Sequence, residues 1–454
     1  MDFSGLVQAQ RDFFATGITR SVPYRIEALQ KLRRALQENE TALEEAMYRD
    51  FRKAAAEVYM TEIGTVVSEI GFQLRHVRAW SGRRRVPTSI LQAPGKSYLC
   101  PEPYGVVLIL APWNYPIQLC LDPLVGALAA GNCAVVKPSA YAPETSRALA
   151  ALLSSVFDPA YVAVVEGGRE ENQALLDEKF DYLFFTGSRE VGRLVMAKAA
   201  KNLTPVTLEL GGKSPAIIDD TADVRTAARR VAFGKVLNAG QTCVEPDYAF
   251  VREPVVNQFL EAYRAALREF FPDGDYSQMP VIVNQKHYER VKGLLSEGHT
   301  IIGGGFDDGT RFIEPTVLMD VPADAPVMQE EIFGPILPVI PYRSIKECIA
   351  YVNAHDKPLA LYLFTRDSSI AARVLASCSF GGGCVNDTIL HLGSPHLPFG
   401  GVGASGIGSY HGKKSFETFT HCRSVLQKPF ACDWKLRYHP YSEKKLRTMR
   451  RFMK

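Results

Sequence analysis

The sequence predicts an α/β fold: a doubly wound, Rossmann-type parallel sheet, a second α/β domain and a small β bridging element. Three observations lead there. Residues 105–209 alternate short apolar runs with helix-forming stretches, and strands separated by helices of that length make parallel sheets. A similar texture returns from about 210 to 395. At 454 residues the chain is too long for one core, so two or three domains are expected.

The elements follow in order. Residues 2 to about 80 are dense in helix formers, and Ile26, Leu29, Leu32 and Leu36 keep helical spacing. From about 82, SGRRRVPTSILQAPGKSYLCPEPYG sets basic residues and prolines around short β-prone pieces, as a bridging hairpin would. VVLIL, CAVVKP, YVAVVEG, DYLFFTG and PVTLEL then read as strands. Between them LDPLVGALAAG, APETSRALAALLSSV, ENQALLDEK and SREVGRLVMAKAA read as helices. The crevice at the carboxyl ends of such strands is where dinucleotides bind. The division expected is 1–81 with 105–208 as a dinucleotide-binding domain, 209–395 as a second α/β domain, 82–104 and 396–430 as bridging segments, and 431–454 as a basic tail.

Composition narrows the class. With 46% hydrophobic and 22% charged residues the chain is ordinary for a globular protein, and a net charge of +3 points to no nucleic acid partner. No run approaches the roughly 18 apolar residues of a membrane span, and the N-terminus lacks the pattern of a secretory signal. The nine cysteines (100, 120, 133, 243, 348, 378, 384, 422 and 432) are scattered and show no CxxC spacing. Reduced thiols in a cytoplasmic setting are expected, with neither a disulfide framework nor a metal site.

Chemistry concentrates at Cys243, in GQTCVEPDY, and at Glu209, in TLELGGKSP, 34 positions earlier. A thiolate can attack an aldehyde carbonyl, and a carboxylate can activate the water that clears the resulting thioester. Asn114, in LILAPWNYP, follows a strand; it either caps a turn before Pro116 or donates to an oxyanion, with the Cys243 N–H as second donor. Gly187 and Gly192, in FFTGSREVG, sit at a strand-to-helix junction that makes either a plain turn or a pyrophosphate contact. Lys137, in VVKPSAYAP, ends a strand, and MQEEIFGPILPV pairs two carboxylates with an aromatic.

Taken together, these segments resemble the active-site motifs of the aldehyde dehydrogenase superfamily. The closing LPFGGVGASGIGSYHGKKSFETF is similar to the family-3 branch, which acts on fatty and aromatic aldehydes. The resemblance runs from roughly residue 10 to 430. It implies NAD or NADP as cofactor, Cys243 as nucleophile, Glu209 as base for water and Asn114 as oxyanion donor. Gly187, Ser188, Gly192, Trp113 and Lys137 would touch the cofactor, with Lys137 at the adenosine ribose. Glu331 would hold the nicotinamide ribose, with Phe333 beside it. Tyr59, Tyr115 and Phe399 would line an aromatic path for medium- or long-chain aliphatic or aromatic aldehydes. The resemblance also implies that 1–81 with 105–208 is the NAD(P)-binding domain, that 209–395 is the catalytic domain, and that segments 82–104 and 396–430 serve oligomerisation in a homodimer that exchanges strands. His411 is expected to be a structural histidine near a subunit contact rather than an acid–base group.

Two departures stand out. Many relatives carry Glu where this chain has Ala140, and a carboxylate there would repel a 2′-phosphate, so strict NAD preference is not expected. Glu245 stands where relatives often have a small residue; pointing inward it would raise the Cys243 pKa, pointing away it would not. A coenzyme-A-acylating dehydrogenase and a non-catalytic scaffold are the competing readings, and the Glu209 context opposes the first. The tail from Trp434 has eight Lys or Arg in 21 residues, with Leu446, Met449 and Met453 at helical spacing. A solvated helix is expected there, with weak attraction to anionic lipid as the alternative.

Overall fold

The computed structural model describes residues 2–431 and 433–453; Cys432, named above, lies outside the described residues. Three larger sheets and a two-stranded ribbon, Phe306–Asp307 with Phe312–Ile313, organise the described residues.

The first sheet has six strands in the order Gly406–Ile407, Val206–Leu210, Tyr182–Gly187, Val106–Leu110, Cys133–Lys137, Val162–Val164. All but Gly406–Ile407 run parallel. The strands coincide with the five apolar runs read from the sequence. They are buried almost throughout because helices cover both faces, and that is why they read as continuous rather than alternating hydrophobic stretches. The chain winds outward from Val106–Leu110 in one direction, then returns to Tyr182–Gly187 and winds in the other. The crevice of such a sheet opens where the order reverses, between the carboxyl ends of those two strands. Asn114 follows one of them and Ser188 the other.

The second sheet has seven strands, His299–Ile302, Thr316–Met319, Ile336–Tyr342, Tyr248–Arg252, Pro215–Ile218, Ala360–Phe364 and Gly382–Val385 in spatial order. Only the His299–Ile302 edge is antiparallel. The third sheet joins Arg84–Val86, Lys96–Pro103 and Thr420–Gln427, all antiparallel. The expected hairpin thus gains a strand from near the end of the chain. Part of the glycine-rich 396–430 segment does something else: Gly406 and Ile407 pair with Glu209 and Leu208 at the edge of the first sheet.

Leu29, Leu32 and Leu36, in the helix Val22–Glu38, are wholly buried, as their spacing predicts, and Ile26 is half-buried. The helix Gln118–Ala130 is buried from Leu119 onward, which explains its apolar composition all round. Helix Ala55–Val58 passes through a π-helical turn, Tyr59–Ile63, into helix Gly64–Trp80; such turns often sit beside functional sites. Helix Glu443–Phe452, capped by Ser442, has no buried residue. Among the described residues no helix is long and apolar enough to cross a membrane.

Candidate active site

The nucleophile loop is built by three consecutive left-handed residues, Asn238, Ala239 and Gly240, which turn the chain out of helix Val224–Val236. Left-handed backbone at two non-glycine positions is costly, and buried hydrogen bonds hold it. Gln241 Nε2 donates to Asn238 O (2.9 Å) and Val281 O (3.2 Å), and its Oε1 accepts from Val283 N–H (3.0 Å). Asn238 Nδ2 donates to Asn114 O at 2.7 Å, and its N–H to Glu57 Oε1 at 2.8 Å. Thr242 Oγ1 is 2.6 Å from the Tyr115 hydroxyl. Cys243 therefore sits on a loop with little freedom to move.

Asn114 belongs to this network. It is buried, and its Nδ2 donates to Gln241 O at 3.0 Å. An amide nitrogen carries two hydrogens, so one remains for a developing oxyanion beside Cys243. The Asn114 amide is thus tied to the nucleophile loop rather than to a turn before Pro116, with one of its two hydrogens uncommitted.

Glu209 lies on strand Val206–Leu210 and is 2% exposed, with no hydrogen-bond partner for either oxygen. Burial holds its carboxyl well above the usual range. Burial first, then the carboxylates of Glu331 and Glu209, push the Cys243 thiol up as well.

Two cavities meet at Cys243. The first, about 450 Å³, is lined by Tyr59, Tyr115, Leu119, Phe233, Phe399 and Tyr410 among others. Tyr59 stands 47% exposed at its margin. No Lys or Arg lines it. The second, about 310 Å³, lies at the switch point and includes Trp113, Asn114, Gly187, Ser188, Glu209, Glu331 and Phe333. Cys243, Leu119 and Phe399 belong to both.

Glu331 is fixed by the Gly212 N–H, which donates to its Oε1 at 3.1 Å. At Gly211 a Cβ would overlap Glu331 Oε2, so a side chain there would displace this carboxylate. Burial first, then Asp247, pushes the Glu331 carboxyl up to about 8. Phe333 meets Trp113 edge-on, ring centres 5.4 Å apart. Ser188 caps helix Arg189–Ala200, leaving its amino end facing the second cavity. Gly192 is in that helix, where a Cβ would come 2.7 Å from Leu210, so it permits close packing of helix on strand. These features suit a dinucleotide: a dipole for phosphate, a carboxylate for ribose hydroxyls and flat apolar walls.

Lys137 lies outside both cavities; its Nζ donates to Pro138 O and Gly167 O at 2.7 and 2.6 Å. Ala140, three residues on, is exposed. Glu245 points away from the sulfur, toward Lys235 and the Phe333 N–H. His411 lies on the wall of the first cavity, stacked on Phe399, and burial lowers its pKa to about 4.

Several wall residues were not anticipated. His287, wedged between Trp113 and Tyr141, and Arg290, which donates to Glu331 O and Ile332 O, line the second cavity. Glu69, which accepts from Gln73 and the Gly412 N–H, and Asp122, which accepts from Gln118, line the first. No local motif surrounds any of the four.

The aldehyde dehydrogenase family profile matches residues 2–425. The chain belongs to the aldehyde dehydrogenase family. It is 47% identical over 439 residues to the 4,4'-diaponeurosporen-aldehyde dehydrogenase of Staphylococcus aureus, covering 95% of each chain. It is 46% identical over 451 residues to aldehyde dehydrogenase family 3 member B1 of Bos taurus, covering 98% of this chain and 96% of the other. The solved substrate-bound state of Staphylococcus aureus AldH superposes with a TM-score of 0.97 at 45% identity, covering all of both chains. As a family-3-like aldehyde dehydrogenase, the protein is an enzyme that oxidises aldehydes with NAD or NADP.

Proposed function

We propose that this aldehyde dehydrogenase converts medium- or long-chain aliphatic or aromatic aldehydes to carboxylic acids by a hydrolytic thioester route. The observation that carries this is the meeting of an apolar, cation-free cavity and a switch-point cavity at one cysteine. Cys243, which is part-exposed, gives up its proton to solvent and adds as thiolate to the aldehyde carbon while the carbonyl electrons move to oxygen. The free hydrogen of Asn114 Nδ2 and the Cys243 N–H receive the oxyanion. NAD or NADP, when bound, supplies the acceptor for the aldehyde's hydride. A thioester on Cys243 remains. Glu209, buried without a partner, takes a proton from water, whose oxygen attacks the acyl carbon; the acid leaves and the sulfur is freed. Glu331 and Phe333 orient the nicotinamide ribose, Gly187, Ser188 and Trp113 shape the second cavity, and Lys137 reaches the adenosine ribose from the next strand end. Tyr59, Tyr115 and Phe399 guide the substrate.

The exposed edge of strand Thr420–Gln427, with Val425 and Leu426 uncovered, supports a homodimer closed through the third sheet, since bare edges invite pairing. The sheets support the division into 1–81 with 105–208, 209–395, and bridging segments 82–104 and 396–430. Helix Glu443–Phe452 carries Lys444, Lys445, Arg447, Arg450 and Arg451 around exposed Leu446 and Phe452, which suits weak peripheral contact with anionic lipid. A cytoplasmic location agrees with eight free cysteines among the described residues.

The test is reduced-nicotinamide absorbance with an aliphatic aldehyde and either NAD or NADP, for native protein and Cys243→Ser. Turnover without coenzyme A that the substitution abolishes is expected, with NADP accepted because Ala140 presents no carboxylate. Turnover only with coenzyme A, or a strong preference for succinic semialdehyde, would overturn the reading.

A further inference from the structure

Glu245 is two residues from the nucleophile, 1% exposed, and lines neither cavity. It makes three connections. Its N–H donates to Thr242 O at 3.0 Å, closing the turn that carries Cys243. Its Oε1 accepts the Phe333 N–H at 2.9 Å. Its Oε2 lies 2.9 Å from Lys235 Nζ, a fully buried ammonium near the end of helix Val224–Val236. Two residues further on, Asp247 Oδ1 accepts the Ile332 N–H at 2.8 Å, while Oδ2 pairs with Lys213. Consecutive N–H groups of the segment bearing Glu331 are thus anchored on carboxylates from the nucleophile's own segment.

The anchored segment is under strain. Phe333 is left-handed, φ 52°, a conformation that a bulky residue keeps only where its surroundings impose it. Gly240 (φ 74°) marks how close the loops come: a Cβ there would overlap Gly334 O and stand 2.7 Å from Glu245 Oε2. A buried ion pair adds little stability over an apolar pair of equal volume. Such a pair can instead fix register. With Lys235 as counter-ion, a carboxylate can stand this near a thiolate without adding to the repulsion from Glu209 and Glu331.

We propose that Glu245, balanced by Lys235, is a positioning residue that sets the separation between the Cys243 loop and the segment carrying Glu331 and Phe333. The nucleophile's loop thereby dictates where the nicotinamide ribose is held. This rests on the assignment of Glu331 and Phe333 as cofactor contacts.

Three variants test it. Glu245→Asp keeps the charge balance but is one methylene short of the Phe333 N–H. Lys235→Met with Glu245→Leu removes the pair and the acceptor, and Lys235→Met with Glu245→Gln restores an acceptor alone. The readouts are cofactor KM, the isotope effect with C1-deuterated aldehyde, Cys243 alkylation by iodoacetamide without cofactor, and Tm. Glu245→Asp and the Leu variant should raise cofactor KM about tenfold, the scale of one lost buried hydrogen bond, and should unmask a primary isotope effect. The Gln variant should return close to native, and alkylation should stay within about twofold throughout. Should neither double variant fold, Glu245→Asp decides alone. Native cofactor KM and isotope effect in Glu245→Asp, or equal values in the Leu and Gln variants with only Tm changed, would overturn the inference. Glu331→Gln separates the two layers. If it leaves cofactor KM native, the cofactor assignment fails; if it raises KM while Glu245→Asp does not, only the present inference fails.

Discussion

Replacing Glu209 by Gln should damage catalysis and leave the fold intact or stronger. The carboxyl is 2% exposed and neither oxygen has a partner, and burial alone lifts its pKa well above the ordinary value. An unsatisfied buried polar group costs roughly 1–3 kcal/mol. Glutamine is also polar, so it recovers only the part of that cost that ionisation adds at higher pH. The Tm of Glu209→Gln should therefore match native at acid pH and exceed it by a few degrees at most at alkaline pH. In catalysis the substitution removes a general base, worth about 10²–10⁴-fold in rate. The loss should fall on thioester hydrolysis. Rapid mixing with aldehyde and cofactor should give a burst of reduced nicotinamide equal to the Cys243 content, followed by turnover slowed by that factor. A missing burst with an intact fold would refute the reasoning, because Glu209 would then act before the thioester forms. A sharp fall in Tm would refute it too, since the carboxyl would have to hold something.

Other outcomes follow from the same geometry. Asn114→Ala should lower kcat by about 10²–10³, the worth of one oxyanion donor, with iodoacetamide alkylation of Cys243 nearly unchanged. Gly211→Ala would put a Cβ on Glu331 Oε2, and cofactor KM should rise roughly 10–100-fold from the displaced charged contact. The Glu331 carboxyl is raised from 4.5 to about 8, so its ionised form, the better acceptor for ribose hydroxyls, gains as pH rises. Cofactor KM should fall through pH about 8, and Glu331→Gln should flatten that profile. Its contribution to stability has the opposite sign. A folded pKa above the unfolded one favours the protonated native state, so this contribution is whole below about 4.5 and is lost as pH rises through about 8. A Tm that rises with pH in native protein relative to Glu331→Gln would contradict this.

The parallel sheet was legible because each of its five strands is a short apolar run closed by Gly, Pro or a charged residue, a signal that burial on both faces imposes locally. Cys243, Glu209 and Asn114 were legible through the segments around them. The strand Gly406–Ile407 was not, since two residues with no apolar pattern pair with Glu209 and Leu208 across about half the sequence. His287, Arg290, Glu69 and Asp122 escaped for a related reason: the first two reach one cavity from helix Gln285–Gly293, the others reach the other cavity from two further helices, and only the assembled fold brings them to these walls. The direction of Glu245 turned on Lys235, ten residues earlier on a helix whose orientation no local pattern reveals.

The two cavities reach the sulfur of Cys243 from different sides, with Leu119 and Phe399 as common walls. Each cavity has walls of its own beyond the shared ones, so a dinucleotide leaving one would not have to cross the other, and its departure would open space beside Glu209 for water. A long apolar molecule that plugs the aromatic passage should accordingly slow the enzyme at every cofactor concentration, and no excess of NAD or NADP should displace it.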